Sequence, residues 1–213
     1  AYRPLRDAPR ISALISAIGV SFLMANLGLV IFGGRPKTFY RPPIFQAPIE
    51  LGGVRVVALF FVIPLLTAVL LVALNYIVYR TKTGLAMRAA QWDFDTARLM
   101  GVDVDRAISI TFAIGSALAA VGGIMWGLRF AEINPNMGLF PGLKCFIAAV
   151  FGGIGNISGA VLGGFILGFG EIMLVAFLPG LAGYRDAFAF IVLILILLVR
   201  PTGLLGDKQR VKV

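Results

Sequence analysis

Histidine is absent from all 213 residues, and with it go imidazole acid–base chemistry, Ser-His dyads and histidine metal ligands. The single cysteine, Cys145, lies in an apolar run, which excludes a disulfide framework and a cysteine metal site. Charge is scarce: Asp, Glu, Lys and Arg make up 14% of the chain, against about 25% in soluble domains. Acids are scarcer still, ten against nineteen Lys and Arg, for a net charge of +9. That surplus does not read as nucleic-acid binding, because the cations flank apolar runs and form no basic stripe interleaved with aromatics. No Gly-Lys-Ser/Thr closes any glycine-rich stretch, so the tempting GGIGNISGAVLGG is not a phosphate-binding loop. An intramembrane enzyme would need a nucleophile with a base, or metal ligands, and the chain is too poor in both. No catalytic residue, metal or cofactor is expected.

What is present is apolar. Hydrophobic residues make up 59% of the chain. Blocks at 11–32, 54–79, 107–128 and 161–178 each approach or exceed the roughly 20 residues of a spanning helix. So many blocks cannot be a cleaved signal peptide. A final run, 187–199, reaches spanning length if it starts near Leu181 with Arg185 and Asp186 paired. Asn26, inside the first block, reads as an interhelical hydrogen bond, and Pro64 as a kink in the second. Between them, residues 33–53 are proline-rich and predict an extended loop with a short hairpin around 51–53.

The longest polar island, TKTGLAMRAAQWDFDTARLMGVDVD, lies between Tyr79 and Arg106. Its pattern predicts two short helices. Residues 84–92 carry an apolar strip of Leu85, Met87, Ala89 and Trp92. Asp93 then suits the N-cap of a helix over 94–100, which Gly101 would end in the left-handed conformation. A helix this short is marginal in water, so something must pack against it. A surface loop lying on its own membrane domain and a docking helix for a partner are both compatible with the pattern.

A second informative stretch, 143–178, is glycine-rich. Its pattern predicts a short or half-crossing helix, a break at GGIGN and a second helix. Gly155, Gly159 and Gly163, and likewise Gly164 and Gly168, recur every four residues and share helix faces. Broken helices at membrane depth persist where they are buried in protein or line a watery cavity, and in transporters they face the solute. Gly152, Gly153, Gly155, Asn156 and Gly159 are therefore pathway candidates. Glu171 joins them as an acid inside an apolar helix, with interfacial snorkelling as the competing reading. Lys144 carries the same ambiguity.

The run TKTGLAMRAAQWDFDTARLMGVDVDRAISITFAIG resembles the cytoplasmic loop and following helix of LivH-type permeases of branched-chain amino-acid ABC importers. NPNMGLFPGLKCFIAAVFGGIGNISGAVLGG and AYRDAFAFIVLILILLVRPTGLLG resemble the late helices and terminus of the same family. In binding-protein-dependent permeases the loop resembles Glu-Ala-Ala, three residues, then Gly, and docks in a cleft of the ATPase. Here Asp95, Thr96 and Ala97 stand three residues before Gly101, a shortened acid and one replaced alanine.

The resemblance implies an all-α fold: a polytopic transmembrane helix bundle with a short broken helix pair and a cytoplasmic coupling loop over 80–106. It implies a periplasmic loop over 33–53, able to meet a solute-binding protein or simply to connect, and one permease domain over 1–213 that lacks the family's N-terminal helices. Asp95, Thr96, Ala97, Arg98 and Gly101 become the ATPase-docking residues. The implied partners are a homologous permease, two ATP-binding subunits, a periplasmic solute-binding protein and membrane lipid, in a bacterial inner membrane. The implied function is ATP-driven import of leucine, isoleucine, valine or similar small solutes. An ion-coupled carrier or channel without ATPases is the alternative, with Glu171 as its paired, buried acid. Placing the loop at 80–106 inside also puts more of the nineteen cations inside than outside, although the 33–53 loop is itself basic.

Overall fold

The computed structural model describes residues 10–51, 54–200 and 202–206. Several of the cations counted on the inner side, Arg3, Arg6, Lys208, Arg210 and Lys212, fall outside them. The chain divides into two compact units, one ending at Pro135 and one beginning at Asn136.

The first unit holds helix α1 (Arg10–Phe32), strand β1 (Lys37–Thr38), the short α2 (Pro43–Gln46), strands β2 (Pro48–Leu51) and β3 (Val54–Val57), and helix α3 (Leu59–Arg80). The short helices α4 (Lys82–Trp92) and α5 (Phe94–Leu99), the long α6 (Val104–Phe130) and strand β4 (Glu132–Ile133) complete it. The second unit holds α7 (Leu139–Gly152), α8 (Ile157–Phe177), a 3-10 turn (Pro179–Tyr184) and α9 (Arg185–Val199). Among the described residues α1, α3, α6, α8 and the run Ala182–Val199 are long and apolar enough to cross a membrane. The fold is all-α and polytopic. Among the described residues its strands form two small antiparallel pairs, β1 with β4 and β2 with β3.

The second span starts later than its apolar block. Residues 54–57, expected as helix, form β3 instead, pairing from Pro48 with Val57 to Leu51 with Val54. β-branched valines on either side of Arg55 suit a pleated ladder, and Arg55 closes the hairpin by binding Glu50 at 3.1 Å. The expected hairpin is thus present in its arms, while Gly52 and Gly53 lie outside the described residues. Asn26 donates at 2.8 Å to the Phe22 carbonyl of its own helix, in place of the interhelical bond expected of it. The last span also differs: Asp186, in the first turn of α9, pairs with Lys144 of α7 at 2.9 Å in place of its neighbour Arg185.

Candidate functional site

Two regions gather the residues singled out by the sequence. In the first unit, the polar island folds into a knob with a core of its own. Thr81 caps α4, its Oγ1 accepting from the Gly84 amide at 3.1 Å, so α4 begins at Lys82, two residues before the expected start. Gly84 is pressed against the end of α3, where a Cβ would strike the Ile77 and Val78 carbonyls. Asp93 caps α5 as expected, its Oδ1 accepting from the Asp95 amide at 3.0 Å and the Thr96 amide at 3.3 Å. Gly101, at φ +81°, turns the chain out of α5. Asp103 caps α6 through the Arg106 amide at 3.0 Å.

Ala90, Ala97 and Val104, one from each helix, meet in a small core against Ala89, Val102 and Ile108. This supplies the packing that a six-residue helix lacks alone. It also sorts the docking candidates: Ala97, 5% exposed, faces that core, whereas Asp95, Thr96, Arg98 and Gly101 are exposed. Arg98 reaches Asp95 at 4.0 Å and Asp105 at 3.9 Å, exposed pairs worth at most about 1 kcal/mol each. The knob also turns apolar residues outward: Trp92, expected on the apolar strip of the first short helix, and Leu99, not singled out in the sequence, are each 88% exposed, and Met100, likewise not singled out, 82%. The signal was available in principle, since in a helix as short as α5 a buried Ala97 leaves its neighbours facing away.

In the second unit, α7 has 14 residues, about 21 Å of helix against a hydrocarbon core of about 30 Å. It stops at Gly152, and Gly153, at φ +111°, reverses the chain. Gly155 lies in the turn and not on the α8 face assigned to it, because Asn156 starts α8 one residue later. Asn156 Oδ1 accepts from the Gly159 amide at 2.9 Å while its Nδ2 donates to the Leu205 carbonyl at 3.0 Å. The last carbonyls of α7, on Phe151 and Gly152, accept from the Leu204 and Leu205 amides at 2.9 Å each. Backbone meets backbone here: a Cβ at Gly152 would fall on the Gly159 carbonyl, one at Gly159 on the Gly152 carbonyl, and one at Gly163 on the Ala148 carbonyl. Gly168, by contrast, has nothing within 4 Å. Gly152, Gly153, Gly155, Asn156 and Gly159 therefore share one junction. Glu171 lies twelve residues along α8 from Gly159, about 18 Å away.

At the other end of this unit, three charges converge from three helices. Lys144 Nζ on α7 lies 2.9 Å from each carboxylate oxygen of Glu171 on α8 and 2.9 Å from Asp186 Oδ1 on α9. The Glu171 side chain is 13% exposed and that of Lys144 30%. No sequence spacing announces this triad. Its members are brought together by the packing of α7, α8 and α9, and Ile147, Leu167 and Ala189 form the buried core between them.

A family model described as branched-chain amino acid transport system / permease component matches residues 4–197. The chain is 40% identical over 218 residues to the high-affinity branched-chain amino acid transport system permease protein LivH of Escherichia coli strain K12, covering all of this chain and 70% of the relative. It is 39% identical over 220 residues to the corresponding permease protein BraD of Pseudomonas aeruginosa, with the same coverage. A more distant relative, 28% identical over 194 residues (87% of this chain, 53% of the relative), is the autoinducer 2 import system permease protein LsrC of Yersinia pestis. No solved structure matches. With helices long and apolar enough for a multi-pass membrane protein and a family match across nearly its whole length, the chain is a transport permease and belongs to the branched-chain amino acid transport system permease family.

Proposed function

We propose that this permease is a translocation subunit of an ATP-driven, binding-protein-dependent importer in a bacterial inner membrane, carrying leucine, isoleucine, valine or a similar small solute. A homologous permease, two ATP-binding subunits and a periplasmic solute-binding protein complete the proposed assembly. The observation that carries this reading is the knob at 80–106, a separately cored element that turns Trp92, Leu99 and Met100 outward beside the exposed Asp95, Thr96, Arg98 and Gly101. Large apolar side chains on an otherwise polar loop mark a protein-contact surface. Ala97 supports that surface from behind. The knob is tied to α3 through Gly84 and to α6 through the Asp103 cap, so a push on it by closing ATPases is delivered to two spanning helices. The α7–α8 junction, with Gly152, Gly153, Gly155, Asn156 and Gly159, is the proposed bending point along the pathway, and Glu171 a polar group within it.

Co-purification tests this. ATP-binding subunits are expected to accompany the wild type and to be lost from Leu99→Asp/Met100→Asp, with the membrane fold intact. Arg98→Glu should weaken the association less cleanly, since it also places an acid between Asp95 and Asp105. A double variant that retains its ATPases sinks the assignment of the knob. The paired, largely buried Glu171 keeps one other reading in play, an ion-coupled carrier. That reading requires uptake driven by an ion gradient without ATP and abolished by Glu171→Gln. The importer reading requires uptake that stops when ATP is withdrawn.

A further inference from the structure

In the first unit a cleft of about 360 Å³ opens between the loop that follows α1 and the adjoining ends of α3 and α6. Phe39 and Phe45 roof it, Val62 and Leu66 form one wall, and Val121 and Met125 the other. The volume falls in the range of about 300–1,000 Å³ typical of small-molecule sites, and the walls are apolar throughout. Two arginines adjoin its lining residues in the chain. Arg41 stands between Tyr40 and Pro42, which line the cleft, and donates at 2.5 Å to the Arg129 carbonyl. Arg129 follows Leu128, another lining residue, and its guanidinium lies 5.5 Å from the Phe60 ring centre and 5.7 Å from that of Phe130. A guanidinium stacked on ring faces keeps its N–H edge available to an anion. The positive end of α3 points to the same place, and Ala58 at its cap position supplies no side-chain acceptor. The α6 dipole accounts for one cation at that helix end, but not for an apolar cleft beside it.

We propose that this cleft holds one anionic phospholipid of the adjoining leaflet, an acyl chain lying against α3 and α6 and the phosphate resting on the Arg129 and Arg41 guanidiniums. Depth and charge both fit. The walls run from Leu59 to Leu66 and from Val121 to Leu128, two turns of each helix, which is the upper part of a leaflet. The lipid also accounts for a basic loop on the face where the positive-inside bias disfavours cations: Arg35, Lys37 and Arg41 follow α1 as a group, with Arg129 joining them from α6.

The test is photolabelling of the full chain in nanodiscs, using phosphatidylglycerol or phosphatidylcholine that carries a diazirine on its acyl chain, with labelled peptides mapped by mass spectrometry. Phosphatidylglycerol is expected to label 59–66 and 121–128 several-fold above the exposed faces of α1 and α8, and above the phosphatidylcholine probe. Arg129→Gln, an exposed position, should erase the headgroup preference. Met125→Trp, which fills the cleft, should erase the local labelling while labelling elsewhere persists. Equal labelling by the two lipids, labelling spread evenly over all exposed helices, or protein–protein cross-links from the cleft to another segment or subunit would each overturn the proposal.

Discussion

At 80–106 the helix ends are closed by side chains: Thr81, Asp93 and Asp103 each accept from amides of the helix they start. At the α7–α8 junction much of the closure is backbone: Leu204 and Leu205 amides serve the end of α7, and glycines at 152, 159 and 163 let main chain lie on main chain. The environments proposed for the two regions account for the contrast. A loop in water tolerates fraying, and each cap adds about 1 kcal/mol of local order. Backbone within a membrane, where the proposed pathway places this junction, has no water to fall back on and gains from fixed partners for its carbonyls. The first region is accordingly tunable by single side chains. The second is sensitive to the addition of one carbon atom.

The sharpest break of that contrast is Gly159→Ala, whose new methyl would fall on the Gly152 carbonyl. Because main chain cannot swing aside as a side chain can, the cost is expected at or above the upper end of the ~1–3 kcal/mol typical of overpacking, read as lost monodisperse protein. Gly168→Ala, on the same helix with open space around it, should melt at the wild-type temperature or slightly above. Next comes Lys144→Met, which leaves Glu171 and Asp186 facing each other. Partial solvent access to Lys144 reduces the penalty below that of a fully buried pair, to roughly 1–3 kcal/mol in a thermal melt, and Glu171→Gln should cost less. A local loss comes last, that of Asp93→Ala, about 1 kcal/mol at the start of α5. Faster proteolysis within 80–106 with unchanged melting of the spanning helices would show it, and Asp93→Asn should restore most of the protection.

Much of this was legible in the chain because it is written locally. Apolar length located the spans, Asp93 and Gly101 bracketed α5, and GGIGN marked the break. Strand β3 was missed because its valines are as apolar as the helix they precede, and only pairing with β2 distinguishes them. Asn156 was read as a pathway group, although its position three residues before Gly159 is also that of an N-cap. The convergence of Lys144, Glu171 and Asp186 depends on three helices packing together, and no periodicity within any one of them encodes it.

The hydrogen bonds that finish α7 come from residues made after α8 and α9. While the ribosome is still extending the chain, the Phe151 and Gly152 carbonyls have been synthesised but Leu204 and Leu205 have not. Until they are, the end of α7 lacks the partners that close it in the finished fold. The order in which this unit is completed is therefore not the order of its sequence.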